Sequence, residues 1–310
     1  MGQIKHVTIV GAGAMGCLFA ARLAERGSVV TLVDVDRARL AAIAAQGITL
    51  TDDAGTRKVP VGARSAGDAG EPIDLVMLFT KGIHSQAALR SVAHLAKAGP
   101  LALTLQNGVG NAELMADVFG PDRTLLGTAH LPADLAGPAA VATHGFAHCA
   151  LGGLTAAAHH HAPAVARLLD QAGFGASVAA DIRATVWEKL AFNAALNAPG
   201  MICGVPNAGL DNDAGHRLAG RVVAETVAVA AAQGIALDEA AILATVHAAL
   251  ADHAHHKASM LQDREQGRAS EIETINGAVS REGARLGVAT PVCDTLSDLV
   301  RVIELAALSR

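Results

Sequence analysis

The sequence predicts an α/β protein: an N-terminal Rossmann-type domain built on a parallel sheet, followed by an all-helical C-terminal domain. Three observations predict it. Short, continuous apolar runs alternate with helical patterns through the first half, as in a parallel sheet covered on both faces. A glycine loop, Gly11-Ala-Gly-Ala-Met-Gly16, joins the first apolar run to the first helix. Beyond about residue 180 the strand signal gives way to helical periodicity. The expected domains are therefore 1–180 and 181–310.

His6-Val-Thr-Ile-Val10 reads as a buried strand, and the helix after the glycine loop runs through Arg22 and Glu25 to a stop at Gly27. Val29–Val33 is the second strand, ending at Asp34, and Asp36–Gln46 is helical. Thr51–Gly70 is polar and glycine-containing, and reads as a small excursion. Asp74–Phe79 and Leu101–Leu105 are the third and fourth apolar strands. In the second half, helical periodicity covers 181–197, 213–233, 239–256, 271–286 and 290–307. Pro199-Gly200, Gly234, Gly287 and Pro291 punctuate these helices.

Composition narrows the function. A chain of 310 residues, 51% hydrophobic and 17% charged, can bury two cores. Aromatic residues make up only 2%, so the core is aliphatic and stacking platforms for single-stranded nucleic acid are lacking. The net charge is −5 with no basic block, which argues against nucleic acid or an anionic membrane as partner. Cys17, Cys149, Cys203 and Cys293 show no paired spacing, so neither a disulfide framework nor a zinc ribbon is expected. Separate thiols suit a reducing compartment, and a soluble cytoplasmic protein is the expectation. The uncharged run Val7–Ala21 is too short to span a membrane. The run Leu190–Leu210 carries Asn193, Asn197, Pro199, Gly200, Gly204, Pro206 and Asn207, a set that no lipid-facing helix would hold together.

The glycine loop carries chemistry because of its context. Gly11 permits a tight turn, Gly13 lets backbone approach a pyrophosphate, and Gly16 lets the helix pack close to the sheet. The helix N-terminus, with Ala14 and Met15, then offers N–H groups to phosphate oxygens. Asp34 ends the second strand 23 residues after Gly11. A carboxylate there accepts the ribose hydroxyls of an adenosine and repels a 2′-phosphate. NAD(H) is the favoured cofactor on this ground. Asp34 can also be read as an acidic turn residue beside the helix cap Asp36, and Arg37 could meet a phosphate, so NADP(H) stays open.

Lys189, Asn193 and Asn197 recur at i, i+4 and i+8, within about 80° of arc on one helix face. Their neighbours are apolar. A cation and two amides there need a polar counterpart, either solvent or a ligand. Lysine can serve as general acid in carbonyl reduction, being protonated at neutral pH. Ser259 and Glu271 lie in a segment that periodicity assigns neither to core nor to plain surface. The histidines show no metal-ligand spacing, so solvated helix faces are expected and no metal. Cys17 sits where a thiolate would be favoured, but packing is the simpler role.

Five stretches resemble the ketopantoate reductase (2-dehydropantoate 2-reductase) family: Gly11–Gly16; Phe79-Thr-Lys81; Leu105-Gln-Asn-Gly-Val-Gly-Asn111; Trp187-Glu-Lys-Leu-Ala-Phe-Asn-Ala-Ala-Leu-Asn197; and Ser259–Asp263 with Gly267–Glu273 and Asn276-Gly277. They span nearly the whole chain in order. The resemblance implies a 2-oxo acid reductase with its active site in a cleft between a Rossmann and a helical domain. It further implies Lys189 as proton donor, Asn193 and Asn197 as substrate-binding amides, and Ser259 as a partner of the substrate carboxylate. Glu271 would hold substrate and lysine, Asn107 would lie between nicotinamide and substrate, and Lys81 would lie on the cofactor side. Ketopantoate, reduced to (R)-pantoate, is the implied substrate. An NAD-dependent D-2-hydroxyacid dehydrogenase on the same scaffold and a non-catalytic NAD-binding sensor are the alternatives. A homodimer is compatible with this reading. One departure stands out: members that use NADPH carry a basic residue near position 35, where this chain reads Asp34-Val-Asp36.

Overall fold

The computed structural model describes residues 4–308. They divide into two compact units. One runs to Gln106 and resumes over Asn111–Ile182; the other takes Asn107–Gly110 and continues from Arg183. The fold class is the predicted one, a parallel-sheet unit and a helical unit. Asn107–Gly110 groups with the helical unit, although it lies well inside 1–180.

In the first unit, β1 (His6–Val10), α1 (Ala14–Glu25), β2 (Val29–Val33) and α2 (Arg37–Gln46) follow the expected pattern. A hairpin, β3 (Ile48–Asp52) and β4 (Gly55–Val59), leads to β5 (Gly62–Arg64). Then come β6 (Leu75–Leu78), α3 (Ser85–Ser91), β7 (Leu101–Thr104), α4 (Asn111–Phe119) and β8 (Thr124–His130). Strands β9 (Asp134–Gly137), β10 (Ala140–Ala142) and β11 (His148–Gly153) precede α5 (Ala156–His159), α6 (Ala162–Gln171) and β12 (Ala176–Val178). Among the described residues the main sheet has the order β12-β11-β8-β7-β6-β1-β2-β5. Its pairs are parallel except β11 with β8.

The continuous apolar strands follow from burial on both faces. On β6, Leu75 and Met77 join one core cluster while Val76 and Leu78 join another on the opposite face, as the two-residue strand period requires. The small polar excursion expected over 51–70 contains the end of β3 with all of β4 and β5. β3 and β4 pair with each other and, through β10, with β9 in a second sheet, and β5 extends the main sheet beside β2. This strand pairing escaped periodicity because its exposed side is held by charge. The Arg57 guanidinium donates to Asp52 at 2.7 Å and to both carboxylate oxygens of Glu25. That hydrogen bond to Arg57 holds the Asp52 carboxyl below its usual range against the opposing cost of burial.

The helical unit contains α7 (Ile182–Cys203), α8 (Asn207–Leu210), α9 (Asp213–Ala232), α10 (Glu239–Asp252), α11 (Ser259–Glu265), α12 (Asn276–Leu286) and α13 (Pro291–Leu308). Leu190, Ala194 and Ala198 of α7 are buried in a core with Val222, Val223, Val246 and Val279. Pro199-Gly200 does not end α7, contrary to expectation; the helix passes through Pro199 to Cys203. A proline removes one N–H and crowds the preceding turn. Here the buried Asn276 amide donates to the Ala194 carbonyl at 3.1 Å, supporting that turn. The stop is Gly204, in the left-handed region at φ 68°, with Val205 N–H reaching back to the Gly200 carbonyl at 3.2 Å.

α10 also ends earlier than its periodicity suggests, at Asp252. The carbonyls of Ala254 and His256 leave the helical path and accept the N–H groups of Ala208 and Asn207. Glu271 lies outside a helix, one residue before the 3-10 turn Ile272–Thr274. Among the described residues no helix is long and apolar enough to cross a membrane.

Candidate active site

The glycine loop is built as its spacing implies. Gly11 has φ 105°, and a Cβ there would lie 2.7 Å from the Thr80 nitrogen at the end of β6. A Cβ at Gly16 would lie 1.8 Å from the Gly11 carbonyl oxygen, so the first turn of α1 can approach the loop only as glycine. A Cβ at Gly13 would meet no atom of the chain within 4 Å. Gly13, Ala14 and Met15 are partly exposed, and no side chain caps the N-terminus of α1. This end of the helix therefore fits a dinucleotide pyrophosphate by backbone N–H groups and the helix dipole.

Cys17 is fully buried in that first turn and its thiol donates to the Ala12 carbonyl at 3.3 Å. Burial pushes the thiol up to about 11, with Asp34 adding to the shift and Arg39 opposing it. It is a packing residue, not a thiolate.

Asp34 sits at the end of β2 and grips the loop. Its Oδ2 accepts the Ala12 N–H at 2.5 Å, and its Oδ1 accepts the N–H groups of Val35 at 2.7 Å and Asp36 at 2.9 Å. Oδ2 retains capacity for a further donor. Asp36 is the N-cap of α2, accepting the Arg39 N–H at 3.0 Å. Arg37 is exposed. The arginine that touches the loop is Arg39, whose guanidinium donates to the Ala12 carbonyl at 3.0 Å. Sequence reasoning singled out Arg37 and passed over Arg39, which the first turn of α2 swings back toward β1.

Lys81 follows β6 and is partly exposed. Beside it lies a polar network that spacing did not reveal. The Gln106 amide nitrogen donates to the Thr80 carbonyl at 2.6 Å and to Ser85 Oγ at 2.9 Å. Its carbonyl accepts from the Thr104 hydroxyl at 2.9 Å, and the Ser85 hydroxyl donates to Asn111 Oδ1 at 3.0 Å. Ser85, Thr104 and Asn111 are buried.

In the helical unit, Lys189 and Asn193 are partly exposed on α7 and Asn197 is buried. They share a face by helical geometry. The Asn107 amide donates to Glu271 Oε2 at 3.2 Å, and Glu271 is itself buried. Gly108 explains the tight fit of that loop: it has φ 87°, and a Cβ would lie 1.9 Å from the Thr274 carbonyl oxygen. The next N–H, of Val109, donates to the same carbonyl at 3.2 Å. Asn107 and Glu271, far apart in sequence, are thus brought together. Ser259 opens α11 with its side chain exposed.

Comparison with known proteins follows the same lines. Residues 7–155 match the family model described as ketopantoate reductase PanE/ApbA, and residues 181–304 match that of its C-terminal part. The chain belongs to the ketopantoate reductase family. A 2-dehydropantoate 2-reductase of Halobacterium salinarum is 31% identical over 302 residues, covering 96% of this chain and 99% of that one. A PanE/ApbA family ketopantoate reductase from Ralstonia eutropha is 30% identical, with a TM-score of 0.89 over 98% of this chain and 99% of that chain. D-mandelate dehydrogenase, solved with NADH and anilino(oxo)acetate, is 28% identical, with a TM-score of 0.93 over 98% of this chain and 99% of that chain. The family places this chain among nicotinamide-dependent oxidoreductases acting on small molecules.

Proposed function

We propose that this chain reduces a 2-oxo acid at C2 with NADH, and that ketopantoate, reduced to (R)-pantoate, is its substrate. The observation that carries this reading is Lys189 on the α7 stripe, in the unit that also joins Asn107 to Glu271. When bound, the nicotinamide supplies the two electrons and the hydrogen that C2 receives. Lys189 gives its ammonium proton to the carbonyl oxygen, so charge does not accumulate there. Asn193 and Asn197 orient the substrate, Ser259 binds its carboxylate, and Glu271 holds Lys189 and substrate while fixing Asn107. Gly11, Gly13, Ala14, Met15, Gly16 and Lys81 serve the cofactor. The separate thiols of the chain suit a reducing cytoplasm.

The likeness to D-mandelate dehydrogenase with NADH, together with Asp34, favours one second reading: an NAD-linked D-2-hydroxyacid dehydrogenase with another side-chain pocket. Following absorbance of the reduced cofactor with ketopantoate and a panel of other 2-oxo acids separates the two. Turnover of none of them, with cofactor still bound, would leave only a cofactor sensor.

The substrate-side residues divide by kinetics. Ser259→Ala is expected to raise KM, because a hydroxyl donor to the carboxylate is lost. Glu271→Ala is expected to lower kcat as well, since it frees Asn107 from its buried acceptor. Each effect should be about 1–3 kcal/mol. Steady-state kinetics of both variants checks this, and an unchanged KM for Ser259→Ala would remove Ser259 from the site.

A further inference from the structure

We infer that Gln106 is a positioning residue for the nicotinamide half of the cofactor; the inference rests on the oxidoreductase reading above. Sheet order supplies the first step. The glycine loop leaves β1, Asp34 ends β2 on one side of it, and β6 and β7 lie on the other side. A dinucleotide crossing the end of β1 with its adenosine ribose at β2 must carry its nicotinamide half toward the ends of β6 and β7. Those two strand ends are joined by one side chain, Gln106.

Every polar atom of the Gln106 amide is engaged. Its nitrogen holds the Thr80 carbonyl at 2.6 Å and Ser85 Oγ at 2.9 Å, and its oxygen takes the Thr104 hydroxyl proton at 2.9 Å. Ser85 passes the chain on to Asn111 at 3.0 Å. Thr80 is also where the glycine loop abuts: its nitrogen faces the space a Cβ of Gly11 would need. Thr80 immediately precedes Lys81, and Gln106 immediately precedes Asn107. One amide thus sets the backbone from which both residues depart. Partly buried networks of this kind rigidify only when every member is satisfied.

Gln106→Glu tests the inference, because a carboxylate of the same shape can accept from Thr104 yet cannot donate to Thr80 or Ser85. Binding of NADH and of ADP-ribose, which lacks the nicotinamide, is measured calorimetrically on the full chain. We expect NADH to bind about tenfold more weakly or worse, with ADP-ribose within about twofold of wild type. Ser85→Ala should weaken NADH in the same selective way, and it carries the test if Gln106→Glu does not fold. Unchanged NADH binding, or an equal loss for both ligands, would overturn the inference. A wild-type chain that binds neither ligand would instead overturn the oxidoreductase reading on which it rests.

Discussion

Lys189→Ala is expected to lower kcat by about 10²–10⁴ while leaving cofactor affinity largely intact. Lys189 sits partly exposed on α7, two turns of helix from the buried Asn197 and beside the core residue Leu190. Alanine is a strong helix former, so the helix itself should persist. On the proposed mechanism, what is lost is the proton for the carbonyl oxygen, and with it the neutralisation of the developing alkoxide. The glycine loop proposed to bind the cofactor lies in the other unit, so the dissociation constant for NADH should move little. Stopped-flow or steady-state reduction of ketopantoate, paired with NADH titration, measures both. Near-wild-type turnover would remove Lys189 from the mechanism.

The second large effect concerns the cofactor. Wild-type protein is expected to prefer NADH over NADPH by roughly 10²-fold in kcat/KM. A 2′-phosphate carries a charge of about −1.5 to −2 and would have to approach the Asp34 carboxylate. That carboxylate cannot turn away, because Ala12, Val35 and Asp36 N–H groups hold it. Arg39 opposes the effect, since its guanidinium stands against the same loop at the Ala12 carbonyl. It is engaged there and with Asp36, so it would have to leave its present partners to meet a phosphate. Asp34→Asn should narrow the preference and also weaken both cofactors, because a neutral amide holds the Ala12 N–H less firmly. Kinetics of both proteins with each reduced cofactor gives the answer. Faster turnover with NADPH in the wild type would show that Asp34 serves the loop alone.

Much of this was legible in the residues. The strands at His6–Val10 and Val29–Val33 and the helix ending at Gln46 fall where apolar runs and caps put them, because each is buried on two faces or capped locally. Gly11 and Gly16 have the tight environments their spacing implied. The Lys189 stripe needed only helical geometry. By contrast, β4 and the end of β3 hid within a polar stretch, where Arg57 pairs with Asp52 and Glu25 in place of a second apolar layer.

Short-range pattern in the residues set the two-part architecture, the glycine loop and the helix face bearing Lys189. All of these rest on short-range periodicity and on the steric freedom of a few glycines. Contacts across long separations in sequence were set only once the chain had folded. The tertiary structure carried α7 through Pro199, where Asn276 supports the preceding turn. It set Asn107 on Glu271, 164 residues away. It bound the Asp34 carboxylate to the Ala12 N–H and made Gln106 the tie between two strand ends. Hydrogen bonds of this kind depend on where distant backbone is brought to rest, and no local pattern of residues encodes that position.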